Sequence, residues 1–158
     1  MSKNYEDLIR SGQLKRVAGK GVDQASRLLK RASRDMMTAE FLLSHDEAAA
    51  MDLIYKGIFH AANALLRLQG YRPGGRRQHV GVLEAMARTL GKKPESLLLF
   101  YDRLRRKRNK FEYQAVFTMS SQELCNTLRQ AKELIVEIQK NIHKYHPELH
   151  PDKKTKHI

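Results

Sequence analysis

Apolar residues recur along this chain at alternating three- and four-residue steps, a spacing that only helices turn into continuous faces. From about Asp23 to Leu43 the stripe is Ala25, Leu28, Leu29, Ala32, Met36, Ala39 and Leu43, with Asp35 at its edge. Asp23 is a plausible N-cap. Ser44-His-Asp-Glu47 has capping-box spacing and opens a second helix with Met51, Ile54, Tyr55, Ile58, Ala62 and Leu65 inward, ended by Gly70. A second face of that helix carries Gly57, His60, Ala61 and Ala64, small enough to admit a close neighbour or a dimer contact. A shorter helix spans about Gln78 to Leu90, and a fourth long one about Pro94 to Tyr113, with Pro94 in its first turn. Ser120-Ser-Gln-Glu123 caps the last, whose Leu124, Leu128, Ala131, Ile135, Ile138, Ile142 and Tyr145 read as an amphipathic bundle helix.

These readings predict an all-α fold, an antiparallel up-down bundle of four main helices plus a shorter helix. Four prolines and nine glycines in 158 residues agree with long helices, and no segment has strand periodicity. The predicted organisation is an N-terminal lead-in over 1–22, with a short helix at Tyr5–Arg10, a helical bundle over 23–145, and a basic, disordered tail over 146–158.

A formal charge of +13 implies attraction to polyanions: nucleic acid, anionic membrane or an acidic protein. No apolar run approaches the ~20 residues of a membrane span, and MSKNYEDLIRSG lacks the apolar core of a signal peptide. The one cysteine, Cys125, cannot form a disulfide within the chain. It is expected to be a structural thiol in a cytoplasmic protein. His143, His146, His150 and His157 enrich the C-terminal end in imidazole, but no cysteine or carboxylate completes a ligand set, so neither a metal nor a cofactor is expected. Phosphate-binding glycine loops and a Ser-His-Asp arrangement are absent from the sequence.

The fourth helix carries the feature that most suggests function. Its apolar face reads Leu97, Phe100, Tyr101, Leu104, Arg108, Phe111. A guanidinium does not lose its proton, so one placed among leucines needs an acidic mate or an incoming anion. Asp35 is the first candidate mate and Glu112 the second. Six of the eight residues from 103 to 110 are basic, and Arg103, Arg106 and Lys110 point away from the stripe, free to grip phosphate. Arg72, Arg76 and Arg77 in the turn YRPGGRR add to this set. A buried ion pair that only fixes helix register accounts for Arg108 equally well. His60 and His79 read as ordinary surface or interface histidines, although His79 could face phosphate.

Arg105-Arg-Lys-Arg108-Asn-Lys-Phe-Glu-Tyr113 resembles the signature of HEPN domains, and the likeness extends through 26–43, 52–73 and the closing helices, about residues 5–117 in all. The resemblance implies a helical bundle, usually a dimer, in a superfamily named for nucleotide binding. Many members are metal-independent ribonucleases, often toxins paired with a nucleotidyltransferase-like antitoxin. Their active motif is Arg, often Asn, then His after four intervening residues. Arg108-Asn109 matches its first half, and Tyr113 occupies the histidine position. A phenol with a pKa near ~10 is a poor base at neutral pH. The sequence is similar to the branch with an acidic residue and Tyr there, for which nuclease activity is not implied.

Three functions follow. A dimeric module could hold RNA, nucleotide or another phosphate-bearing ligand through Arg72, Arg76, Arg77, Arg105, Arg106 and Lys110. A rewired ribonuclease could use Arg108, Asn109 and Tyr113. A non-catalytic partner could dock a nucleotidyltransferase-like protein. The first is preferred.

Overall fold

The computed structural model describes residues 4–19, 21–91 and 95–149. In chain order the elements are α1 (Glu6–Arg10), β1 (Leu14–Arg16), α2 (Val22–Leu42), α3 (Glu47–Leu68), β2 (Tyr71–Pro73), α4 (Gln78–Leu90), α5 (Glu95–Gln114) and α6 (Ser121–Tyr145), then a single 3₁₀ turn at Pro147–Leu149. The expected helices are all present. Pro94 and residues 150–158 of the tail expected over 146–158 lie outside the described residues, while Pro147–Leu149 of that tail form the 3₁₀ turn.

The ends of the helices follow local chemistry. α3 is capped by Asp46, whose extended backbone lets its carboxylate accept from Ala49 N at 3.0 Å. Ser44, the expected cap, lies two residues too early, in the turn after α2. Gly21, not Asp23, precedes α2, and Asp23 sits in the first turn, where it opposes the helix dipole's positive end. The capping box before α6 forms as expected: Glu123 N donates to Ser120 Oγ at 3.1 Å, and Ser120 N donates to Glu123 Oε2 at 3.2 Å. α3 ends at Gly70, whose φ of +86° is open to glycine at little cost.

α3 is the central helix. One face buries Met51, Ile54, Ile58 and Leu65. The small-residue face lies against α2, and a Cβ at Gly57 would meet the Met36 methyl and lie 3.4 Å from the Ala32 carbonyl oxygen. The choice left open between a second buried side and a dimer contact is thus settled for Gly57, Ala61 and Ala64, which are buried within the chain. α6 contributes Leu124, Leu128, Ala131, Leu134, Ile135, Ile138 and Ile142 to the same core, while Tyr145, expected on that stripe, is exposed.

The N-terminal segment is part of this core. Tyr5, Leu8 and Leu14 are buried, and β1 pairs antiparallel with β2 in the register Leu14↔Pro73, Lys15↔Arg72, Arg16↔Tyr71. This ladder was not expected, because three residues are too few to display a period of two. Tyr5 Oη donates to Gln69 Oε1 at 2.9 Å and also meets Thr89 Oγ1. Arg88 grips Asp7 with two hydrogen bonds, at 2.8 and 2.6 Å, which holds the Asp7 carboxyl down at about 2.

Candidate functional site

α5 lies against α3, α4 and α6, and this placement decides which acid meets Arg108. Arg108 Nε donates to Asp52 Oδ1 of α3 at 2.8 Å, and Nη1 stands 3.4 Å from Glu112 Oε2, one turn along α5. The guanidinium also stands over the Tyr55 ring, 5.0 Å from its centroid, while Tyr55 stacks on Tyr101 at 5.3 Å. The Arg108 side chain is 19% exposed. It is wedged as the sequence suggested, but its principal mate is Asp52, not Asp35. Asp35 lies on α2, which α5 does not flank. The sequence marked Asp52 only by its place on an apolar helix face between Met51 and Tyr55.

Asp52 serves two cations, since Lys56 Nζ sits 2.6 Å from its Oδ2. Burial pushes the Asp52 carboxyl up, but the hydrogen bonds from Lys56 and Arg108 outweigh it and hold the group below the usual carboxylate range. For Arg108, burial acts downward, and the bond to Asp52 more than offsets it, leaving the guanidinium still harder to deprotonate. These side chains, with Asp46, Phe111 and Glu112, line an open cavity of about 460 Å³. Three carboxylates and two cations face it, so Arg108 is already neutralised there and is not a free anion hook.

Tyr113 is 86% exposed. Five residues of helix turn it roughly 140° around α5 from Arg108, so the two do not converge. Asn109 is partly exposed between them. Arg105, expected to be available for phosphate, folds back on Asp102 with contacts of 3.2 and 2.9 Å. Arg106 is exposed and reaches the same carboxylate at 3.0 Å. Arg103, Lys107 and Lys110 are exposed, with no carboxylate within 4.0 Å among the described residues. In the turn before α4, Arg76 and Arg77 are exposed, and Arg72 is half-buried in β2.

His79, in the first turn of α4, is not a surface histidine. It is half-buried, its Nδ1 lies 2.7 Å from Tyr55 Oη, and its ring packs 4.7 Å from Phe59. Burial, then the charges of Arg108 and Arg105, push its pKa down. α4 also packs on α5, and His79 and Arg108 meet the same Tyr55 side chain. His60 also departs from the surface reading, because its Nδ1 hydrogen-bonds Asp35 at 2.8 Å. Cys125, expected to be a structural thiol, is exposed on α6.

The sequence pattern shared by HEPN domains matches residues 25–142, three quarters of the chain. The chain belongs to the HEPN domain family. No curated protein and no solved structure matches it. HEPN domains are broadly associated with nucleic-acid binding or RNase-like chemistry, and this one carries the helical bundle with its basic helix packed on the central helix. None of its described helices is long and apolar enough to cross a membrane.

Proposed function

We propose that this HEPN domain binds single-stranded RNA, or another phosphate-bearing ligand, along the solvent face of α5 and the neighbouring turn before α4. The observation that carries the reading is the row Arg103, Arg106, Lys107 and Lys110. These four cations sit at helical spacing on one exposed face and extend about 10 Å along the axis. Three of them have no carboxylate partner among the described residues, in a chain of net charge +13. Arg76 and Arg77, exposed in the turn before α4, and the half-buried Arg72 add three further cations to the candidate set. Arg108 supports the surface from beneath by tying α5 to α3 through Asp52. Catalysis by Arg108, Asn109 and Tyr113 is a weaker reading, because Tyr113 points to solvent away from Arg108.

The test is retention of labelled RNA across a salt series. Log affinity should fall linearly with log salt, and each phosphate contact removed should flatten the slope by about 0.7 for a single strand. Lys107→Ala with Lys110→Ala should reduce the slope by about 1.4 on that basis. Binding that ignores salt, or is unchanged in this double variant, refutes the reading.

A second reading, protein association, rests on a different surface. Met37 and Phe41 are exposed on α2, and Val136 of α6 is exposed in a groove of about 660 Å³ lined by α6 with Glu40 and Leu43 of the α2 end. Its rim balances Glu40, Glu133 and Glu137 against Arg129, Lys132 and Lys140. Such a neutral patch is where two strongly basic chains can approach without repulsion. A homodimer is the occupant this charge balance favours. Phe41→Glu should convert a dimer to monomer in sedimentation. A chain that is monomeric from the outset but captured by a nucleotidyltransferase-like protein would instead support the toxin–antitoxin-like pairing.

A further inference from the structure

Three unfavourable placements meet where β2 gives way to α4. The first is on the β1–β2 ladder. Lys15 and Arg72 are partners in its register, so their side chains leave the same face directly opposite each other. Like charges so placed destabilise a sheet. Burial, and then the Arg72 charge, also push the pKa of Arg67, at the end of α3, below its usual value. The second is at the start of α4. Arg77 is its N-cap residue, Arg76 precedes it, no side chain caps the helix and its first turn holds no acid. The amides of Gln78, His79 and Val80 have no partner within the helix, and two guanidiniums stand at the positive end of its dipole. Lys15, Arg72, Arg76 and Arg77 form no ion pair with a carboxylate among the described residues. The third is Gln13. It is 8% exposed, and its Oε1 is buried with no hydrogen-bond partner among the described residues. An acceptor left so is a cost to the fold.

Gln13 joins the other two. Its carbonyl oxygen accepts from Gly74 N at 3.0 Å, which carries the ladder one pair beyond Leu14↔Pro73. Two residues before Lys15, Gln13 shares a ladder face with Lys15 and Arg72. On that face it packs under the first turn of α4, where a Cβ at Gly81 would stand 2.7 Å from the Gln13 Cβ. The Lys15 side chain runs over Gly74, where a Cβ would stand 2.9 Å from its Cγ. Both approaches depend on glycine. The buried amide of Gln13 therefore points into the junction that the basic turn makes with the uncapped helix.

A compact anion offsets all three costs. Its charge relieves the four cations, and its oxygens accept from the free amides of α4. Gln13 Oε1 is itself an acceptor, so the same ligand must also carry a donor. Inorganic phosphate has both, because at neutral pH it keeps at least one P–OH. Sulfate and phosphodiesters have none. We infer that the β2–α4 turn is a binding site for inorganic phosphate, held by the α4 amides with Arg76 and Arg77, and with Gln13 Oε1 accepting from the P–OH. The site is separate from the α5 row and stands whether or not that row binds RNA. Bound phosphate would tie both strands of the ladder to α4.

The experiment titrates the full chain with sodium phosphate at fixed ionic strength, with sulfate as the matched control, and follows backbone amide resonances together with the thermal midpoint. Phosphate should move the Gly74, Gly75, Gln78 and His79 amides saturably and raise the midpoint. Sulfate should bind at least about tenfold more weakly, since it leaves Gln13 Oε1 unpaired. Arg76→Gln with Arg77→Gln, at two exposed positions, should weaken phosphate at least about tenfold while the chain stays folded. Gln13→Met, which keeps the volume and removes the acceptor, should abolish the preference for phosphate over sulfate. Lys107→Ala with Lys110→Ala should leave phosphate binding unchanged, so this site and the RNA reading fail separately. Amide shifts that do not saturate, or that sulfate reproduces at equal concentration, overturn the inference. Phosphate binding that survives Arg76→Gln with Arg77→Gln does so too.

Discussion

Removing Asp52 would leave Arg108 with its charge, most of its burial and only Glu112 at 3.4 Å for a mate. A hydrogen bond to a charged group contributes about 1.5–3 kcal/mol, and breaking a fully buried pair costs about 3–5 kcal/mol. The pair here is partly wet, with Arg108 at 19% and Asp52 at 32% exposure, and Tyr55 remains beneath the guanidinium. The lower range therefore applies, and Asp52→Ala should cost about 2 kcal/mol. For a domain of this size that lowers the thermal midpoint by about 4–8 °C. Calorimetry or urea unfolding reads it directly. The decisive comparison is Arg108→Met, which removes the charge and keeps the volume. In that background Asp52→Ala should cost under about 0.5 kcal/mol, because no stranded cation remains. Equal costs in both backgrounds would refute the claim that Asp52 exists to neutralise Arg108. Acid gives the same answer by another route. The folded-state pKa of Asp52 is depressed, so its contribution is complete above the unfolded value near ~3.9 and is lost as pH falls through the lower folded one. Asp52→Asn should flatten that loss of stability.

His79 should titrate below its usual value near ~6.5 in an NMR experiment. Because its folded pKa is lowered, the neutral ring stabilises the fold above ~6.5 and that contribution fades as pH falls through the folded value; His79→Phe should remove this part of the pH dependence. Gly57→Ala should be nearly neutral in chemical unfolding, since the Met36 methyl can swing aside while helix propensity improves by about 1 kcal/mol. Gly57→Val should instead cost about 1–3 kcal/mol, as its branches meet the α2 backbone. Ser120→Ala should destabilise by about 1 kcal/mol through loss of the capping box, measured by urea titration.

Periodicity identified every long helix because each buries a continuous stripe, and the Ser120–Glu123 cap was legible because both of its partners are local in sequence. The cap of α3 was misplaced by two residues, since Ser44 and Asp46 are equally good acceptors and only the backbone distinguishes them. The position of Arg108 in an apolar face was legible from spacing alone. Its mate was not, because choosing Asp52 over Asp35 requires knowing which helix flanks α5, a fact of topology that no single helix encodes. The same limit hid the Asp35–His60 bond, which joins residues on two helices whose register is set by Gly57 and Met36. The burial of Tyr5, Leu8 and Leu14 was missed because α1 and β1 are too short to carry a period.

The β1–β2 ladder has a consequence for the order in which this fold assembles. Its strands flank the α2–α3 hairpin, so they are distant in sequence until α2 and α3 have folded back on each other. Once they have, the ends stand close, and the entropy of closure is that of a short gap. The N-terminal strap should therefore be a late latch, its amides gaining protection only after the hairpin exists, which pulsed hydrogen exchange during refolding would read.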